Sequence, residues 1–171
     1  MTTVLGIDPG LFGSFAVYDG SILMVYDMPI INIQRNSKNR NTLDRTALVH
    51  MVKQIAQVRV DACYLELVGG ITGQSASAAF IFGKNCGLVE GVVAAQLIPI
   101  NMVSPIKWRN ALKVNAGKDG ALAKARDLFP AEAKLFARKK DDGRADAALI
   151  AVYGYRMEQQ NSGKQWEEAM S

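Results

Sequence analysis

Two turn signals cut the first 27 residues into three short extended runs, TVLGID at 3–8, GSFAVYD at 13–19 and SILMVYD at 21–27. Their aliphatic and aromatic residues favour a pleated, covered environment. Pro9-Gly10 stops the first run and Asp19-Gly20 is a strong hairpin dipeptide, so the three runs read as an antiparallel meander. The pattern then changes. Residues 32–41 (NIQRNSKNRN) read as a basic loop too polar to pack, and 42–58 carries apolar residues near helical spacing with Thr42 or Asp44 as cap. A fourth strand over 61–67 leads through a glycine-rich turn to a long helix of small residues, and a fifth strand, INMV, precedes two short helices. A last helix beginning at RADAAL frays into a polar tail from about 158.

Three meandering strands followed by alternating helices and strands imply an α/β domain with a mixed five-stranded sheet flanked by helices. Right-handed crossovers give the order 3-2-1-4-5, with strands one and four parallel neighbours. Nothing in the 171 residues marks a repeat or a linker, so one domain spanning 1–171 is expected. The longest apolar runs fall short of a membrane span, and the N-terminus lacks the basic start and apolar stretch of a signal peptide. A reducing, cytoplasmic setting is therefore expected, with Cys63 and Cys86 as small buried hydrophobes rather than a disulfide or zinc site. A net charge of +4 is compatible with a polyanionic partner.

The acids narrow the chemistry. Asp8 ends strand one and Glu66 lies near the end of strand four, so the expected topology brings both to the same sheet edge. Two nearby carboxylates raise each other's proton affinity unless a cation lies between them. Asp142 and Asp146, four residues apart in KKDDGRADAAL, would project from one face of the last helix's first turn. Oxygen-rich sites of this kind suit Mg²⁺ or Mn²⁺, and two such ions roughly 4 Å apart can hydrolyse a phosphodiester. Arg35, Lys38 and Arg40 in the basic loop are candidate phosphate contacts.

GIDPG, YLELV, SPIKWRNAL followed by GKDGALAKARDLFP, and KKDDGRADAALIA, in that order, resemble the RuvC-type Holliday junction resolvases, most closely the phage members, from about residue 5 to 155. The resemblance implies a ribonuclease H-like fold, a homodimer, and cleavage of four-way DNA junctions with Mg²⁺ or Mn²⁺, two ions per site, without a small-molecule cofactor. It implies that Asp8, Glu66 and Asp146 bind metal and that Lys107 and Lys118 lie near the scissile phosphate. The best-known bacterial members space their last two acids three apart, but position 143 here is glycine. Asp142 is then the fourth ligand, with Asp141 the alternative. Those members also carry a junction-opening phenylalanine after the strand-four acid, whereas this chain has LVGGITGQ, where Ile71 or Gln74 is available. Lys84, Arg109 and Arg144 complete the candidate DNA contacts. Dimerisation is assigned to the small-residue helix around 76–91, which includes Phe80 and Phe82.

Several of these residues also have a plainer reading. Asp8 before Pro-Gly suits a turn residue, Asp142 suits a helix cap, and Trp108 reads as core. His50, the only histidine, reads as structural or surface. The rival functions are a module that binds branched DNA without cutting it and a general nuclease of the same fold. A sugar-kinase or actin-like ATPase would need a second lobe.

Overall fold

A computed structural model of the chain describes residues 2–35, 37–69, 73–117 and 119–169, without the side chains of Arg35, Lys38 and residues 164–169. Lys118 and Ile71 lie outside the described residues. The three N-terminal runs are β1 (Val4–Asp8), β2 (Ser14–Tyr18) and β3 (Leu23–Asp27), paired antiparallel in sequence order. The ribbon β4 (Ile30–Arg35) and β5 (Lys38–Leu43) precedes α1 (Arg45–Ile55), β6 (Ala62–Glu66), α2 (Ala76–Ala94) and β7 (Ile100–Val103). Then come α3 (Pro105–Ala111), α4 (Gly120–Leu128), two 3-10 turns (Ala133–Phe136 and Lys139–Asp141) and α5 (Asp142–Ala169).

The main sheet runs β3-β2-β1-β6-β7. This is the expected 3-2-1-4-5 arrangement, renumbered because β4 and β5 form a separate two-stranded sheet. That ribbon corrects the reading of 32–41 as a loop. Arg35 pairs with Lys38 across a two-residue connection in which Ser37 takes φ 57, and Asn32 Nδ2 donates to Asn41 Oδ1 at 2.9 Å. Ile31 and Ile33 stay exposed, and 32–41 holds one apolar residue, Ile33, too few to mark two paired strands.

Alternation in the central strands fills two cores. Leu5, Ile7, Cys63 and Leu65 face α1 and α2, meeting Leu48, Val52, Val89 and Val93. The alternate residues Val4, Ala62 and Tyr64 face α5, α3 and α4, meeting Ala147, Leu149, Ala151 and Trp108. α5 lies directly on the strands: a Cβ at Gly6 would stand 2.3 Å from the Ala151 nitrogen and 2.4 Å from the Ala147 carbonyl oxygen. The tail expected to fray from 158 continues as helix to Ala169, consistent with the good helix formers Met157, Glu158, Gln159 and Gln160. Cys63 is buried as expected, but Cys86 is only half-buried, since its helix meets the sheet chiefly through Val89 and Val93. His50 is exposed on α1, and Asp44 caps that helix by accepting from the Ala47 amide. Among the described residues no helix is long and apolar enough to cross a membrane.

Candidate active site

Parallel pairing sets the first two acids side by side. Ile7 stands opposite Leu65 in the β1–β6 register, so Asp8 and Glu66 follow together at the end of the ladder. Alternation turns both towards the face that α5 covers, and the first turn of α5 carries Asp142 and Asp146. Gly143 makes the approach possible: a Cβ there would stand 2.4 Å from the Phe12 carbonyl oxygen and 3.1 Å from Asp8 Oδ2. A side chain three before Asp146 therefore has no room, and the neighbouring acid in the first turn of α5 is Asp142. Asp141 points elsewhere. It is 2% exposed and accepts from the Arg138 amide and guanidinium, which hold its carboxyl below the usual range.

Each acid of the set has its own anchor. Asp8 Oδ1 accepts from the Gly10 amide at 3.0 Å, so the Pro-Gly turn orients the carboxylate as well as ending the strand. Glu66 Oε1 accepts from Trp108 Nε1 at 2.9 Å. Arg109 Nη2 meets both oxygens of Asp146, at 3.0 and 3.2 Å, with its guanidinium 4.7 Å from the Trp108 ring centre. Asp142 Oδ1 accepts from the Gly143 amide at 3.1 Å. Sequence reasoning placed Trp108 in the core, where it is, but carried no signal of its bond to Glu66. Arg109, one of the candidate DNA contacts, is bound to Asp146.

Burial is the largest influence on Asp8, Glu66 and Asp146. It raises the proton affinity of Asp8, against the Gly10 amide, with Asp142 adding to the rise. It does the same for Glu66, opposed by Trp108 and Arg109 and reinforced by Asp8. Asp146 is pushed up to about 7 by burial, opposed by Arg109, with Glu66, Asp8 and Asp142 all adding to the rise. Asp8, Glu66 and Asp146 thus each sense the charge of at least one other acid of the set. Among the described residues no three acid, histidine or cysteine side chains are gathered closely enough to hold an ion as they stand. Arg109 holds Asp146 through both carboxylate oxygens.

The raised Asp146 value has a consequence for stability. An unfolded aspartate ionises near 3.9, whereas folded Asp146 keeps its proton to about 7. The unfolded chain therefore releases this proton first, and without divalent ions stability falls as pH rises from about 4 to about 7. Asp146→Asn should melt higher than the wild type at pH 8 and show little difference at pH 4. Thermal melts in EDTA across that range check it; an Asn variant less stable at pH 8 contradicts it. Trp108→Phe, which fills most of the same core space but cannot donate to Glu66, should slow any chemistry at this site by roughly 10- to 100-fold. Cleavage rates measured beside thermal melts separate that effect from simple unfolding.

The remaining candidates scatter. Lys107 is exposed on α3 and Lys84 on α2. Gln74 is half-buried and lines the same groove as Glu66, and its buried Oε1 has no hydrogen-bond partner among the described residues. Arg144 pairs with Asp27 and lies 3.7 Å from Asp141, so it braces β3 against α5. Arg40 is exposed on β5. The side chains of Arg35 and Lys38, and all of Lys118, lie outside the described residues.

No family model matches the chain. Among solved structures, Thermus thermophilus RuvC in complex with a Holliday junction substrate superposes with a TM-score of 0.62 over 92% of this chain and 96% of that one, at 16% identity. The fold is that of RuvC. A second structure of Thermus thermophilus RuvC gives a TM-score of 0.56 at 15% identity, over 91% of this chain and 96% of that one. In sequence, the chain is 26% identical over 148 residues to the chloroplastic Holliday junction resolvase MOC1 of Chlamydomonas reinhardtii. That match covers 75% of this chain but spans only 17% of the relative's length. The ribonuclease H-like arrangement expected from the sequence thus stands, and the four acids lie at one edge of a RuvC fold.

Proposed function

We propose that the chain is a structure-selective DNA endonuclease that cuts four-way junctions, and related branched DNA, by hydrolysing phosphodiesters at the four-acid edge. The observation that carries this reading is the convergence of Asp8, Glu66, Asp142 and Asp146 from three elements of a RuvC fold, each within reach of another's charge. The donor set is all carboxylate oxygen, and its repulsion is what a hard divalent cation relieves. Asp8, Glu66, Asp142 and Asp146 would hold Mg²⁺ or Mn²⁺, as two ions. When bound, such ions supply an activated water and offset the charge that gathers on the phosphodiester.

The protein's own residues prepare the ground. Trp108 and the Gly10 amide fix the orientation of Glu66 and Asp8. Arg109 keeps a cation beside Asp146 while the site is free, and Lys107 and Lys118 are assigned to the phosphate that is cut. Hydrolysis by in-line attack leaves a 5′-phosphate and a 3′-hydroxyl. The working form is a homodimer acting on DNA in the cytoplasm. Support for the dimer comes from α2, where a Cβ at Gly83, Gly87 or Gly91 would meet nothing within 4 Å and Phe80 is 70% exposed. Two copies about a two-fold axis suit a branched substrate of similar symmetry. Sedimentation should give a dimer for the wild type and a monomer for Phe80→Glu; a monomeric wild type overturns the dimer.

The test of the activity is a substrate panel in Mg²⁺: a four-way junction, a flap, a linear duplex of the same sequence and an RNA–DNA hybrid. Preferential cutting of the junction is expected. Equal rates on the linear duplex or the hybrid would make the protein a general nuclease of this fold.

A further inference from the structure

The turn that joins β1 to β2 presents an aromatic ring to solvent from a rigid base. Phe12 is 65% exposed. Its turn is closed by the Gly13 amide donating to the Gly10 carbonyl at 2.9 Å, and Leu11 beside it packs onto the core. A Cβ at Gly13 would stand 2.1 Å from the Asp8 carbonyl oxygen, and one at Gly143 would stand 2.4 Å from that of Phe12. The Phe12 backbone is therefore clamped between the two segments that carry Asp8 and Asp142. An aromatic ring left in water adds little to folding, whereas a ring held on a fixed backbone meets a ligand with little loss of freedom.

Phe12 borders a groove of about 640 Å³ that runs beside Asp142, a volume of the order expected for a site that accepts one small ligand. Leu11, Phe12, Met28 and Ile30 give the groove its apolar lining, and Arg138 and Lys140 line it too. Asp27 and Asp141, which also line the groove, are paired with Arg144 and Arg138. Lys140 makes no ion pair among the described residues and is exposed. An apolar ring with an unpaired ammonium nearby matches the two halves of a nucleotide, a base with a π-face and a phosphate. A purely apolar peptide would leave Lys140 unmatched.

We propose that Phe12 stacks on an unpaired nucleobase at the branch point of the DNA, with Lys140 on an adjacent phosphate, and so holds the opened strand against the four-acid edge. This rests on the proposed junction-cutting activity. It moves base contact from the segment after β6, where Ile71 and Gln74 were the candidates, to the turn after β1.

Phe12→Ala and Phe12→Trp test it, assayed by single-turnover cleavage of a four-way junction and by 2-aminopurine fluorescence at the branch point in Ca²⁺. Phe12→Ala should cut the junction slower by on the order of 10- to 100-fold, with its melting temperature and linear-duplex binding unchanged. The 2-aminopurine response seen with the wild type should vanish in Phe12→Ala, and Phe12→Trp should recover both signals. Cutting by Phe12→Ala at the wild-type rate, or an unchanged fluorescence response, overturns the role of Phe12 while leaving the activity in place. A wild-type protein that neither binds nor cuts the junction overturns both.

Discussion

Glu66→Gln should leave a four-way junction bound but uncut. Glutamine keeps the volume of Glu66 and an oxygen to accept from Trp108 Nε1, so the 2.9 Å bond that orients the side chain survives. What disappears is one charge from a buried cluster in which Asp8 raises the proton affinity of Glu66, and Glu66 that of Asp146. The fold should be as stable as the wild type or more so without divalent ions, because a buried like charge has been removed. Cleavage should fall by at least on the order of 10²- to 10³-fold, the loss typical when a preorganised charge at a reacting centre is removed. Single-turnover rates, gel shifts and melts on one preparation check all three. Undiminished cutting would remove Glu66 from the site.

Gly6→Ala should be the most damaging small change to the fold. The added methyl would meet backbone, the Ala151 nitrogen at 2.3 Å and the Ala147 carbonyl oxygen at 2.4 Å, so no side chain can swing aside. α5 must lift from β1, at a cost of about 3 kcal/mol or more. For a domain of this size that is a fall in melting temperature of roughly 6–12 °C. The same helix carries Asp142 and Asp146 in its first turn, so a lift of even ~1 Å should reduce cleavage by about 100-fold below the melting temperature. Thermal melts and cleavage rates at a low temperature test the two effects separately. A variant that melts with the wild type would show that α5 approaches β1 less closely.

The parts of this fold that bury one face were legible in the sequence. Pro9-Gly10 and Asp19-Gly20 marked the meander, and the apolar runs around Asp8 and Glu66 allowed parallel neighbours to be inferred, which placed two acids at one edge before any coordinates. The spacing of Asp142 and Asp146 was visible too, but its cause was not: Gly143 faces the Phe12 carbonyl, a contact between segments 131 residues apart in sequence. Long-range polar pairs were equally silent. Arg109 reads as one more surface cation until α3 packs against α5, and Arg144 until β3 brings Asp27 to it. The β4–β5 ribbon escaped because only its base reaches a core, through Leu43, and residues 34–42 are all polar. Phe12 escaped because an isolated exposed aromatic resembles any other until its backbone is seen clamped between two acid-bearing segments.

The central claim is that the four-acid edge cuts branched DNA rather than only holding it. The most direct measurement is a denaturing gel of a four-way junction, each strand end-labelled in turn, incubated with the wild-type protein in Mg²⁺ and in EDTA. Nicks in two opposed strands near the branch point, with 5′-phosphate ends, in Mg²⁺ and none in EDTA, are the predicted result. Four intact strands in both Mg²⁺ and Mn²⁺, at protein concentrations where a gel shift shows the junction fully bound, would contradict it.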